Sequence, residues 1–199
     1  MDISNKFLDH AYGYDDVSIV PGEFTINPEL ADTKFKIQEL EFDIPVLASA
    51  MDAVVSPEFA INFNSKGGLA VLNLEGIYTK YNDYTEPLES VISAKENESI
   101  SIMQKIYSKD IDENLVAERV KEIKEKSSIC AVSVTPANTK RLSPIAIEAG
   151  ADIIVVQSTV TTPRHFSKSI TGLNMSDLKK QIKIPLIVGN CVSYNVALE

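Results

Sequence analysis

The chain has few residues of the kinds that build disulfide frameworks and metal sites. Among 199 residues there are two cysteines, two histidines and no tryptophan. Cys130 and Cys191 are too few for a disulfide framework, and neither lies at metal-ligand spacing from another cysteine or a histidine. No apolar run approaches the roughly 18–20 residues of a membrane span, and the polar start resembles no signal peptide. These absences predict a reduced, cytoplasmic protein with no metal and no membrane partner.

Positive charge is also scarce. The chain carries 19 Lys and Arg residues against 28 Asp and Glu residues, which gives a net charge of −9. An acidic surface disfavours binding to the phosphate backbone of DNA or RNA, because like charges repel. We therefore expect no nucleic-acid partner, although a local pocket for a small anion remains compatible with this balance.

Two common nucleotide-binding motifs are missing. No G-x-G-x-x-G follows a strand-like run and no G-x-x-x-x-G-K-[ST] occurs, so neither a Rossmann fold nor a P-loop is supported. What the sequence does contain is an alternation of short apolar runs with helical patterns. The runs are residues 44–49, 69–72, 129–134, 152–156 and 184–188. This alternation predicts an α/β fold with about five parallel strands, an incomplete (β/α)8 TIM barrel.

The pattern divides the chain into two parts. Residues 1–43 are irregular and predict an N-terminal arm or hairpin, and residues 44–199 predict the N-terminal part of a barrel that ends before strands six to eight. Ser56 and Pro57 suit the start of a helix as N-cap and first residue. Residues 75–98 are expected to form an irregular surface excursion, with Pro87 as a breaker. Pro144 is expected to break or delay the helix that ends at Gly150.

Small polar residues follow the predicted strands. In barrels the active site lies at the carboxyl ends of the strands, so these positions are candidates for hydrogen bonds to a sugar or a nucleotide. They are residues 49–52, Asn73 and Glu75, residues 157–162, and residues 189–191.

Each candidate also has a structural interpretation. Ser49 could simply terminate a strand, Met51 could fill a gap in the core, and the hydroxyl run from residue 157 suits turns and caps. Cys191 has no evident base beside it. His10 and His165 match no triad and no metal spacing, which favours surface or structural roles.

Several motifs, in order, resemble one family. They are YDDVSIVP at residues 14–21, IPVLASAMDAVV at 44–55, GGL at 67–69, EAGAD at 148–152 and IVGN at 187–190. Together they resemble the IMP dehydrogenase/GMP reductase family over essentially the whole chain. Residues 55–60 and 71–76 look most like its short IMP dehydrogenase-related branch, which lacks the CBS domain pair.

The resemblance implies an oxidoreductase of purine metabolism that converts IMP to XMP with NAD, or alternatively a reductase that converts GMP to IMP with NADPH. It implies that Ser49 bonds the nucleotide and that Met51 packs on the base. The cofactor would lie against Gln157, Ser158, Thr159, Gly189 and Asn190. Gln157 stands where many dehydrogenases have an aspartate, which leaves NAD and NADP both open. The resemblance also implies a homo-oligomer and allows a monovalent cation.

The same resemblance places the catalytic cysteine in a loop after strand six. We therefore expect no catalytic residue among these 199 and no turnover by the chain alone. An alternative is a non-catalytic barrel fragment that acts as a binding partner. An unrelated sugar-phosphate isomerase or aldolase barrel is disfavoured, because no lysine falls at the end of a predicted strand.

Overall fold

The computed structural model describes residue 10, residues 12–163 and residues 173–199. The chain forms two compact units that join between Asp32 and Thr33. Two short 3-10 turns, Tyr14–Asp16 and Pro28–Leu30, lie in the first unit. The boundary expected at residue 43 stays a prediction.

The second unit contains a hairpin and a parallel sheet. The hairpin pairs β1 (Phe35–Ile37) with β2 (Leu40–Phe42). Within the described residues the sheet has five strands in the order β3–β4–β5–β6–β7, all parallel. Their bounds are β3 Leu47–Ala48, β4 Leu69–Asn73, β5 Ala131–Val134, β6 Ile153–Gln157 and β7 Leu186–Gly189. The predicted α/β class is confirmed, as half of a TIM-like barrel.

Helices connect these strands. Their bounds are α1 Pro57–Asn64, α2 Thr85–Ile92, α3 Glu96–Tyr107, α4 Glu113–Lys126, α5 Thr139–Glu148, α6 Met175–Gln181 and α7 Tyr194–Leu198. Ser56 caps α1 as expected, since its Oγ accepts a hydrogen bond from the Phe59 N–H at 3.0 Å. None of the helices in the described ranges is both long and apolar enough to cross a membrane.

The sheet buries both faces, because successive side chains of a strand point to opposite sides. On one side Leu72, Val132 and Ile154 pack against the helices in the main core. On the other side Leu69, Ala131 and Ile153 pack with Phe42 of the hairpin in a smaller core. These last three residues lie at or near the start of their strands, so the hairpin covers the amino-terminal half of the sheet. The carboxyl ends of the strands are left for a site.

Two expectations about proline are wrong. Residues 75–98 are not an irregular surface excursion, because a 3-10 turn over Ile77–Thr79 is buried and α2 follows it. Pro87 is the third residue of α2, in the first turn, where backbone N–H groups have no partner within the helix and proline is tolerated. Pro144 likewise lies inside an unbroken α5, with its ring on the exposed side.

Candidate functional site at the carboxyl edge of the sheet

Two strand ends bring four of the predicted cofactor residues together. Gln157 ends β6 and Gly189 ends β7, and the two residues are partners in the sheet register. Beyond the strands, the Ser158 N–H donates to the Gly189 carbonyl at 3.0 Å. The Asn190 N–H donates to the Ser158 carbonyl at 3.1 Å. Thr159 follows directly and is exposed. The two loops therefore form one continuous backbone surface.

Thr161 holds the two loops together through two hydrogen bonds. Its N–H donates to the Asn190 carbonyl at 2.9 Å and its hydroxyl donates to the Gly189 carbonyl at 2.6 Å. Thr161 is almost completely buried. The structural interpretation of the hydroxyl run therefore applies to Thr161, whereas Ser158 is half-buried and Thr159 is accessible.

The space next to the two loops is open, and the cavity beside Ser158 has no charged residue in its lining. A Cβ atom placed on Gly189 would meet no atom within 4 Å. A cavity of about 290 Å³ lies beside Ser158. Its lining comprises Thr135, Pro136, Ala137, Ser158, Val160, Thr161, Thr162 and Met175. Hydroxyl and backbone groups between apolar side chains are typical of sites for small polar ligands.

The predicted substrate residues lie on the loop after β3. Ser49 and Met51 are both exposed, and Met51 is 53% exposed. The Met51 N–H donates to the Ser49 carbonyl at 2.8 Å, and the N–H groups of Val54 and Val55 donate to the Met51 carbonyl. The loop thus presents both candidate side chains outward on a closed turn.

Asp52, the next residue, anchors this loop, a role that the sequence analysis did not assign. Its Oδ1 accepts a hydrogen bond from Asn73 Nδ2 at 3.1 Å. Its Oδ2 accepts from the Ile77 N–H at 2.7 Å and from the Tyr107 hydroxyl at 2.6 Å. Gly76 passes so close that a Cβ atom there would overlap the carboxylate.

Glu75 makes a second anchor, between β4 and β5. Its two carboxylate oxygens accept hydrogen bonds from the Thr135 N–H at 2.5 Å and from Asn138 Nδ2 at 2.6 Å. The Asn73 side chain accepts from the Glu75 N–H at 3.0 Å. Both strand-end carboxylates are therefore committed to holding the chain. The sequence signal for them was only their position after a strand, since their partners are distant along the chain.

The cysteines differ in exposure, and both are unpaired. Cys130 precedes β5 and is buried, and burial raises the pKa of its thiol from 9.0 to about 12. Cys191 lies beyond β7 and is exposed. Within the described ranges no three His, Cys, Asp or Glu residues are grouped to hold a metal. His10 packs edge-on against Tyr12, and His165 lies outside the described residues.

Residues 11–199 match the family model described as IMP dehydrogenase/GMP reductase domain. An uncharacterized oxidoreductase of Mycolicibacterium smegmatis is 33% identical over 192 residues, which cover 94% of this chain and 51% of that protein. Inosine-5'-monophosphate dehydrogenase of Streptococcus pyogenes is 33% identical over 103 residues, or 51% of this chain and 20% of that enzyme.

A solved structure matches at the level of the fold. It is the crystal structure of an IMP dehydrogenase/GMP reductase-like protein from Corynebacterium glutamicum. The TM-score is 0.86 and the sequence identity 32%, over 92% of this chain and 49% of that one. The chain thus spans about half the length of the relatives that it matches along most of its residues.

Proposed function

Because the chain belongs to the IMP dehydrogenase/GMP reductase family, we propose that it supplies the nucleotide- and cofactor-binding edge of an oxidoreductase that converts IMP to XMP with NAD. Membership makes it an oxidoreductase by homology. The substrate, the cofactor and the residue roles are the proposal.

The backbone junction of the β6 and β7 loops carries this proposal. Gln157, Ser158, Gly189 and Asn190 come from segments about 30 residues apart and share one hydrogen-bonded surface. In open parallel sheets and barrels, ligands bind at such carboxyl ends. Gly189 carries no side chain, so a ligand can approach its backbone closely.

The donor set fits a nicotinamide nucleotide. When bound, the nicotinamide supplies or accepts the hydride of the reaction. The chain's own residues bind and orient: Ser158 and Thr159 offer hydroxyls, and Asn190 and Gln157 offer amides. None of these groups carries charge, so they suit the ribose hydroxyls and the carboxamide rather than the pyrophosphate.

The purine nucleotide is assigned to the loop after β3. Ser49 would donate a hydrogen bond to the nucleotide, and the thioether of Met51 would pack on the base, a contact to which methionine is well suited. Both side chains are exposed at the same edge of the sheet. The purine and the nicotinamide would therefore be bound on opposite flanks of one edge.

Gln157 favours a second candidate, the reduction of GMP to IMP with NADPH. An aspartate at this position would repel the 2'-phosphate of NADP, and the neutral amide does not. Titration with NAD and NADP separately distinguishes the two. Tighter binding of NADP by tenfold or more supports the reductase, and tighter binding of NAD supports the dehydrogenase.

Turnover is expected to need residues beyond these 199. Cys130 is buried with a raised pKa, which keeps its thiol from acting as a nucleophile. We expect no change in absorbance of the reduced nicotinamide when this chain is mixed with IMP and NAD or with GMP and NADPH. Steady turnover by the purified chain would contradict this expectation.

Binding tests the assignment more directly than turnover. We expect Ser158→Ala to weaken NAD or NADP binding about fivefold, the value of one lost hydrogen bond. Ser101→Ala removes an exposed hydroxyl on α3 and serves as the matched control. The assignment of Ser158 fails when both variants bind the cofactor equally well by calorimetry. The function itself fails when neither cofactor and no purine nucleotide binds the unmodified chain.

A further inference from the structure

The loop that carries Ser49 and Met51 is joined to the rest of the chain through Asp52. Ala50 and Val55 are buried at its two ends, while Ser49, Met51, Ala53 and Val54 are exposed. Between Met51 and Ala53 the half-buried Asp52 side chain turns toward the protein. The position of the exposed residues therefore depends on what holds the Asp52 carboxylate.

Three chain segments hold it. The carboxylate contacts Asn73 at the end of β4, the backbone N–H of Ile77 and the hydroxyl of Tyr107 at the end of α3. A fourth contact joins the Tyr78 hydroxyl to the Asp52 carbonyl at 3.1 Å. Of these three carboxylate contacts, the one from Tyr107 comes from outside β4 and the turn that follows it, and Tyr107 lies 55 residues away from Asp52 along the chain.

The Tyr107 hydroxyl is committed to this contact. Its ring lines an apolar cavity of about 460 Å³ between α2, α3 and the loop, with Leu88, Val91 and Met103. Burial, followed by the hydrogen bond to Asp52, raises the pKa of Tyr107 well above its usual value. The phenol is thus a neutral donor at physiological pH, and a hydrogen bond from such a donor to a carboxylate is among the stronger kinds.

We propose that Tyr107 is a positioning residue for the purine nucleotide: by holding Asp52 it fixes the loop on which Ser49 and Met51 meet the substrate. This inference rests on the proposed function. It makes the α2–α3 segment, which lies outside the parallel sheet, part of the substrate site. Tyr107 itself contacts no substrate and acts through Asp52.

The test compares Tyr107, the last residue of α3, with Tyr81, which precedes α2 and whose hydroxyl donates to the backbone of α3. Tyr107→Phe keeps the ring in the cavity and removes the hydroxyl that Asp52 accepts from. Tyr81→Phe removes a hydroxyl that bonds the Ile106 carbonyl at 3.2 Å and leaves Asp52 untouched. Both variants, with the unmodified chain, are measured by hydrogen exchange of the amides of residues 51–55 and by titration with IMP and with NAD.

We expect Tyr107→Phe to speed exchange of these amides several-fold and to weaken IMP binding about tenfold, while NAD binding stays unchanged. Tyr81→Phe should change none of the three. Equal exchange rates in the two variants overturn the inference, and so does equal weakening of IMP and NAD, which would indicate a general structural effect.

The measurements also separate failure of this inference from failure of the proposed function. When the unmodified chain binds neither IMP nor NAD, the proposed function is overturned, and the substrate part of this inference with it. Hydrogen exchange still decides whether Tyr107 holds the loop. When IMP binds the unmodified chain and Tyr107→Phe binds it as tightly, only the positioning role is overturned.

Discussion

The carboxyl edge of the sheet has two regions of opposite character. The region over β3, β4 and β5 is held by side chains, through the carboxylates of Asp52 and Glu75. The region over β6 and β7 is held by backbone hydrogen bonds, with Thr161 as the fastening side chain. In the first region the Asp52 and Glu75 carboxylates are occupied by hydrogen bonds within the chain, whereas in the second Ser158, Thr159 and Asn190 remain at least partly accessible.

This difference separates polar residues that stabilise from those that can bind. A carboxylate that already accepts two or three hydrogen bonds has little left to offer a ligand, and its removal leaves buried donors unpaired. A loop tied through its backbone keeps its side chains free. The comparison therefore predicts that substitutions which displace or remove the Asp52 or Glu75 carboxylate change stability, and that substitutions at Ser158 or Gly189 change cofactor binding.

The largest contrast is expected between the two thiols. At pH 8 we expect iodoacetamide to modify the exposed Cys191, whereas Cys130 reacts about a thousandfold more slowly than in the unfolded chain. The reason is that only the thiolate reacts, and burial raises the pKa of Cys130 from 9.0 to about 12. Its rate should rise about tenfold for each unit of pH until the pH reaches that pKa.

Peptide mass spectrometry of the alkylated chain measures both rates in one sample. Alkylation in urea is the control, because Cys130 then loses its protection. If Cys130 in the native chain is modified at the rate seen in urea, its thiol is not buried as the structure shows.

Gly76→Ala is expected to produce the largest loss of stability. A Cβ atom at this position would overlap the Asp52 carboxylate, and displacing that group breaks its bonds to Asn73, Ile77 and Tyr107. We expect the free energy of unfolding to fall by about 3 kcal/mol or more. Urea denaturation measures the change. Gly22→Ala, where the added atom meets nothing within 4 Å, is the matched control.

Glu75→Ala is expected to cost less, about 2 kcal/mol, because it removes two hydrogen bonds to a charged group and leaves the Thr135 N–H without its partner. Glu75→Gln keeps one oxygen acceptor, so its free energy of unfolding should lie between those of Glu75→Ala and the unmodified chain. Glu89→Ala on the exposed side of α2 should stay within about 0.5 kcal/mol of the unmodified chain. Equal urea midpoints for Glu75→Ala and Glu89→Ala would show that the hydrogen bonds of Glu75 do not stabilise the chain.

The sequence predicted the parts of this structure that depend on neighbouring residues. The β6 run and the cap at Ser56 follow from local patterning and were found where expected, to within one residue for β6. Pro87 and Pro144 misled the prediction, because the cost of proline depends on its place within a helix. The anchor between Asp52 and Tyr107 joins residues 55 positions apart, and no periodicity or spacing within one chain reveals such a pair.

The smallest effect on stability is expected for Gly189→Ala, the counterpart of Gly76→Ala on the other region. The added methyl group meets no atom within 4 Å, so the free energy of unfolding should change by less than about 0.5 kcal/mol. The methyl group would instead enter the space assigned to the cofactor and weaken its binding about tenfold, as overpacking of a fitted surface does. Calorimetric titration and urea denaturation of the same preparation measure the two quantities. If Gly189→Ala lowers stability and leaves cofactor binding unchanged, Gly189 has the same structural role as Gly76. The two regions would then not differ in the way proposed.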